Sequence, residues 1–166
     1  MKINLLDQSD IDKLPSIQPP TWYDIRPIHK FYVQAPHCYV FKAEIGRDMV
    51  GAGTVIIHDD VAWLAHILVH ENHRKKGIGR AISEHVLNVA LNKGIKTVYL
   101  KATDLGAPVY IKIGFEVETE YLIYKEFTID TTQPTDIHIQ PYKVDYKDAR
   151  FLKRSIKKYH KEMENY

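Results

Sequence analysis

The sequence predicts an α+β fold: a central mixed, mainly antiparallel sheet flanked by helices. Alternating β-rich runs separated by turn residues fill positions 38–69. The last of them, Val61–Val69, is apolar enough to read as a buried strand. It runs directly into V-H-E-N-H-R-K-K-G-I-G-R, residues 69–80, and then into the clearest helical repeat of the chain. One strand–loop–helix unit therefore sits among hairpin-connected strands.

Taken in order, Lys2–Leu6 opens the sheet. Asp7 or Ser9 caps a short helix through Leu14, because a short polar side chain can accept from the free N–H groups of a first turn. Ser16–Pro20 holds adjacent prolines and is a break. Trp22–Tyr32 has helical spacing, with Pro27 splitting or beginning a segment. Cys38–Ile45 alternates, Gly46-Arg47-Asp48 turns, and Met49–Ile57 returns. His58-Asp59-Asp60 is the next turn, before Val61–Val69. Gly79–Leu91 repeats Ala81, Ile82, His85, Val86 and Val89 at helical spacing, and Gly94 ends it. Thr97–Ala102 is a strand, Pro108–Ile113 a short helix closed by Gly114, and Phe115–Phe127 a long final strand. Thr128–Tyr142, rich in Thr, Pro and Asp, reads as a linker or loose strand. Val144–Tyr166 is a charged amphipathic helix with Phe151, Leu152, Ile156 and Tyr159 on one side. Residues 1–127 thus form one domain, followed by an appendage over 128–166.

Bulk properties narrow the function. A length of 166 residues and 45% apolar content suffice for a real core. A net charge of +2 gives no global electrostatic case for nucleic acid or a membrane surface. The lone Cys38 excludes an internal disulfide and suits a reducing compartment. The N-terminus lacks the apolar core of a signal peptide, and no apolar run is long enough to span a bilayer. The expectation is a soluble, cytoplasmic protein with no membrane partner.

The loop carries the chemistry. Glycines allow a tight turn and close approach of a ligand. The first turn of a helix has N–H groups without internal acceptors, at the positive end of the helix dipole. Together they suit a phosphate or pyrophosphate, with Arg74, Lys75, Lys76 and Arg80 adding charge. A Walker loop would need Gly-Lys-Ser/Thr, but Arg80 and Ala81 follow Gly79. A dinucleotide fingerprint would need a third glycine where Ile82 stands and an acid at the tip of the next strand. Neither nucleotide motif fits.

Val69, Arg74, Gly77 and Gly79 instead resemble, position for position, the acyl-CoA-binding motif of the GNAT N-acetyltransferase superfamily. Downstream, Tyr110-Ile111-Lys112-Ile113-Gly114-Phe115 resembles the Tyr-x-x-x-Gly-Phe end of that fold. Ala102-Thr103, Gly106 and Tyr110 are similar to a variant typical of one small-molecule branch, some members of which carry a second C-terminal domain. The resemblance covers Lys2 to Phe127 and implies a three-layer α/β arrangement, its sheet splayed at the cofactor site.

The resemblance also implies acetyl-CoA as cosubstrate, no metal, and direct attack of a small-molecule primary amine on the thioester. Backbone N–H groups of Lys75, Lys76, Gly77, Ile78, Gly79 and Arg80 would hold the pyrophosphate, and Arg74, Lys75 or Arg80 would reach the 3′-phosphate. Leu68 and Val69 would flank the pantetheine arm, with an N–H near Leu68 polarising the thioester carbonyl. Tyr110 would protonate the departing thiolate. His66 is the candidate general base, since imidazole titrates near neutrality; Asp59, Asp104 and a water chain are rivals. Thr103 stands where many relatives carry Asn and would contact a water or the pantetheine. Trp22, Tyr23, Phe31, Tyr32, Tyr121 and Tyr124 would form the acceptor side. Transfer to a protein or peptide amine, and a non-catalytic acyl-CoA sensor, are the competing readings. A homodimer stays open.

Overall fold

A computed structural model of the chain describes residues 1–119. The backbone divides into two compact units, Met1–Glu116 and Val117–Tyr166. The helices and strands among the described residues all belong to the first. The expected boundary after Phe127, the linker and the C-terminal helix lie outside the described residues. Of the expected final strand, residues 115–119 carry no strand and the remainder lies outside the described residues.

The sheet is built from β1 (Lys2–Leu5), β2 (Cys38–Ile45), β3 (Asp48–His58), β4 (Val61–Val69) and β5 (Thr97–Leu100), hydrogen-bonded in that order. Each neighbouring pair is antiparallel except β4 and β5, which run parallel. A parallel pair needs a long crossover, and α2 (Ile78–Asn92) supplies it. The central strand β3 is buried on both faces because helices cover both, whereas β1 at the edge is largely exposed. On one face a 3-10 helix, Gln8–Ser16, and α1, Arg26–Tyr32, bury Ile11, Leu14, Ile17, Ile25 and Tyr32 against Val40, Ala52 and Leu68. On the other, α2 buries Ile82 and Val86 against Val50, Val55 and Leu64. The three-layer expectation holds.

The 3-10 helix starts where the capping residues predict. Asp7 Oδ1 accepts from Ser9 N at 2.8 Å, and Asp10 Oδ2 accepts in return from Asp7 N at 3.3 Å. Asp10 is buried and takes Lys42 Nζ at 2.6 Å and Lys13 Nζ at 2.9 Å, which ties this helix to β2. Burial raises the Asp10 pKa, but the hydrogen bonds from Lys42, Lys13 and the Asp7 N–H outweigh it and leave the carboxyl below its ordinary value.

The helical spacing of Trp22–Tyr32 overstates α1, which begins at Arg26 with Pro27 in its first turn. Proline tolerates a first turn, where its missing N–H costs nothing, but disfavours helix in the residue before it. Gln18 satisfies the preceding loop, accepting from Ile25 N at 3.0 Å and donating to the Trp22 carbonyl at 3.1 Å.

Two glycines in β3 set how closely α2 approaches. A Cβ on Gly51 would lie 2.7 Å from both Ile82 Cδ1 and the Leu68 carbonyl, and one on Gly53 would lie 2.5 Å from Ile82 Cγ2. The helix therefore lies tightly on the sheet, with its N-terminus beside the end of β4.

Candidate functional site

The loop between β4 and α2 is self-braced. Arg74 Nε donates to the Val69 carbonyl at 3.2 Å, and Lys76 Nζ donates to the Asn72 carbonyl at 2.9 Å. Lys75 and Gly77 take left-handed backbone, with φ of 58° and 77°. For Gly77 this conformation costs little, and the position leads into α2 without a side-chain cap. The Ala81 N–H closes the first turn on the Gly77 carbonyl at 3.0 Å, leaving the N–H groups of Ile78, Gly79 and Arg80 without intrahelical acceptors. Nothing lies within 4 Å of a Cβ built on Gly77, and Gly79 would meet only Val69 Cγ2 at 3.5 Å. The helix start is thus an open cradle of N–H donors, ringed by the exposed Arg74, Lys75, Lys76 and Arg80. Arg80 Nε also pairs with Glu84 at 2.8 Å. The side chains of Leu68 and Ile78 are committed to the core, so what they offer a ligand is backbone.

Beside this cradle the sheet opens. The β4–β5 pairing runs from Val61 with Thr97 to Leu64 with Leu100. Beyond it β4 continues to Val69, and its edge over residues 65–69 has no strand partner on that side among the described residues. The pairing stops where β5 itself ends, at Leu100. At the same place β4 carries a bulge: Ala52 pairs with Leu68 and Thr54 with Ala65, so Gly53 opposes both His66 and Ile67. His66 takes the extra turn, with φ of 49°. In a regular strand Leu64, His66 and Leu68 would share one face. Here Leu64 packs under α2, whereas Leu68 joins the core on the α1 face.

The bulge turns the His66 ring toward α1. It meets His29 at 5.1 Å and Tyr32 at 5.6 Å between ring centroids, and Trp22 at 6.4 Å from the preceding loop. Burial, with His29 nearby, pushes its pKa down to about 4. His29 is wholly buried, its Nδ1 lies 2.8 Å from the Ile25 carbonyl, and burial lowers its pKa despite that bond. His66 is therefore an uncharged imidazole at neutral pH, able to accept a proton. His29 carries no mark along the chain; a histidine four residues after Ile25, just inside a proline-started helix, reads as surface. The glycine pair Gly51 and Gly53, also missed, could have been found from Gly-Ala-Gly in a strand, a sign of close backbone approach.

Tyr110 lies in α3, Ala107–Lys112, and stacks edge-on against Phe115 at 6.2 Å. Burial raises its pKa, so the phenol stays protonated beyond the ordinary range and remains a donor. Thr103 braces the start of this helix: its carbonyl accepts from Gly106 N at 2.8 Å and Ala107 N at 2.9 Å, and its Oγ1 accepts from Gly106 N at 3.3 Å. Its hydroxyl proton stays available. Of the acceptor-side aromatics, Trp22 and Tyr32 join His66, whereas Tyr23 and Phe31 are exposed; Tyr121 and Tyr124 lie outside the described residues. Asp59 occupies the turn between β3 and β4, also with positive φ. Among the described residues, no group of three or more His, Cys, Asp or Glu could hold a metal ion, and no helix is long and apolar enough to cross a membrane.

Residues 5–115 match the Acetyltransferase (GNAT) family. The chain is 30% identical over 96 residues to a Bacillus subtilis (strain 168) protein named as an uncharacterized N-acetyltransferase, YobR; the match is 56% of this chain and 39% of that one. The chain thus spans well under half of this curated relative. Among solved structures, it is similar to a "predicted acetyltransferase with acetyl-CoA" from Clostridium acetobutylicum, with a TM-score of 0.61, 20% identity, and coverage of 75% of this chain and 95% of that one. The ribosomal-protein-S18-alanine N-acetyltransferase of Escherichia coli gives 0.62 at 20% identity, covering 71% and 79%. The aminoglycoside N-acetyltransferase AAC(6')-Iy gives 0.62 at 17%, covering 76% and 100%. At such identities these structures establish likeness of fold.

Proposed function

This chain belongs to the Acetyltransferase (GNAT) family, and from that premise we propose that it transfers an acetyl group from acetyl-CoA to a primary amine of a small molecule. One observation carries the reading: the uncapped N-terminus of α2 opens beside the unpaired edge of β4. A diphosphate and an amide-bearing arm are the two features of acyl-CoA that such neighbours would bind. Acetyl-CoA supplies the activated acyl group and a thiolate that can leave.

The residues then divide the work. The N–H groups of Lys75 to Arg80 hold the diphosphate, strengthened by the helix dipole. Arg74, part of whose guanidinium already braces Val69, turns its remaining N–H groups outward with Lys75 and Arg80 toward the 3′-phosphate. Leu68 and Val69 offer main-chain pairing to the arm, and the N–H near Leu68 polarises the thioester carbonyl. His66 takes a proton from the attacking nitrogen as the C–N bond forms. Tyr110 donates its proton to sulfur as the C–S bond breaks, and solvent restores both groups. Thr103 directs its hydroxyl proton to the arm or to a water.

Calorimetric titration of acetyl-CoA, followed by a thiol-release screen over polyamines, amino acids, aminoglycosides and peptides, tests this. Binding with thiol release from a small amine is the expected result. Release only with peptides would move the acceptor to protein. Tight binding with no turnover across the panel would make the protein an acyl-CoA sensor, and absence of binding would end the reading.

A further inference from the structure

We propose that His29 is a positioning residue for the transfer reaction: it fixes the tautomer of His66, so that the lone pair of His66 Nε2 faces the acceptor. The inference rests on the reading of His66 as base. It begins at Ile25. A carbonyl oxygen can only accept, so His29 Nδ1, at 2.8 Å, must carry a hydrogen. Neutral His29 then has a bare lone pair on Nε2, which is buried without a protein partner.

His66 presents the complementary need. Its Nδ1 is likewise enclosed without a protein partner, in a ring 5.1 Å from that of His29. Two bare nitrogens enclosed together would oppose each other, whereas a hydrogen on His66 Nδ1 matches the lone pair on His29. A buried polar atom left unmatched costs free energy. Thr54 Oγ1, the other enclosed side-chain polar atom without a protein partner among the described residues, belongs to β3 directly across from Ala65, the residue before His66. A water between the two imidazoles would join His66 Nδ1–H to His29 Nε2, since a buried water needs two to four polar partners. With the hydrogen on Nδ1, His66 must be bare at Nε2, which is not enclosed.

The consequence for the reaction is directional. When His66 Nε2 takes the proton of the attacking amine, the positive charge spreads to Nδ1–H, and the chain toward His29 Nε2 and the Ile25 carbonyl orients that hydrogen. His29 and Tyr32 of α1 are the titratable groups whose rings pack on His66. Neither carries a carboxylate, so no carboxylate among them performs this task. The sequence separation of the pair explains why spacing alone could not expose it.

Imidazole 15N NMR of the full chain decides the matter without a substrate. The expected result is hydrogen on Nδ1 in both His29 and His66, with His66 redistributing toward Nε2–H in His29→Phe. Hydrogen on Nε2 of wild-type His66, or no redistribution in the variant, would overturn the inference. Turnover adds a second arm, using acetyl-CoA with an amine that releases thiol in the panel. His29→Phe keeps the ring volume and should lower kcat at least tenfold with KM for acetyl-CoA unchanged. His29→Gln, whose amide can donate to Ile25 and still present an acceptor, should recover most of it. Full activity of the Phe variant, or equal loss in both, counts against His29. A His66→Phe variant with wild-type turnover would instead sink the base assignment itself. Thermal melting checks that each variant is folded.

Discussion

At the scale of single residues, the site depends on groups held in uncommon states. Tyr110 is a phenol whose pKa burial raises above its ordinary value, so it stays a proton donor over a wider pH range. Tyr110→Phe should therefore cut acetyl transfer by about 10²-fold, the range of general acid catalysis, while leaving acetyl-CoA affinity in calorimetry nearly unchanged; equal losses in both would count against a donor role. Gly79 gives a cleaner test of the cradle. A Cβ there meets only Val69 Cγ2 at 3.5 Å, so Gly79→Ala should fold at least as well as wild type, because alanine favours helix by about 1 kcal/mol over glycine. A diphosphate lying on this turn makes the same methyl costly, and acetyl-CoA affinity should fall. Unchanged affinity would place the anion elsewhere. Gly77→Asp, with strained backbone and a negative charge at the cradle, should abolish binding. His66 was visible in the sequence as a near-neutral group on the right strand. Its lowered pKa was not, because burial against His29 and Trp22 comes from elements distant in sequence.

At the scale of elements, β3 and β4 decide the position of everything else. The alternation of residues 38–69 revealed the strands, and Val61–Val69 matches its strand end for end. The bulge left no such mark, since inserting one residue changes no composition. It reverses which face His66 occupies, whereas unbroken alternation would put it on the side of Leu64. Gly51 supports this geometry from the partner strand. An added methyl would sit 2.7 Å from the Leu68 carbonyl, a backbone atom that cannot rotate away. Gly51→Ala should cost about 1–3 kcal/mol, the usual range for overpacking, measured by denaturant unfolding, and should weaken acetyl-CoA binding as α2 shifts from β4. Wild-type stability in this variant would mean the helix has slack that the packing denies. The start of α1 was misjudged for a related reason: apolar spacing continues through residues 22–25, but Pro27 and the Gln18 hydrogen bonds hold that stretch out of helix.

For the molecule as a whole, acid should act in two stages. Free imidazole binds its proton near pH 6.5, whereas folded His66 refuses one until about 4. The unfolded chain therefore gains protons first, and stability falls as pH drops from about 6.5 toward 4. Asp10 works in the lower window. Its folded pKa lies below the ordinary carboxyl value, so its contribution is complete above that value and disappears as pH falls further. Melting temperatures between pH 7 and 3 should show both stages. His66→Phe should shrink the first, to which the buried His29 also contributes, and Asp10→Asn should flatten the second while costing about 1–2 kcal/mol, a hydrogen-bonded charge discounted for the exposed Lys13 end. A profile unchanged by His66→Phe would mean that the ring is not shielded from water. Local chemistry alone writes strand alternation, the caps, the glycine turn before α2 and the basic cradle, each set by residues within a turn or two of one another. The end of β4–β5 pairing, the face presented by His66 and its meeting with His29 arise in the packed fold, because each depends on strand register and helix packing between segments that spacing along the chain does not connect.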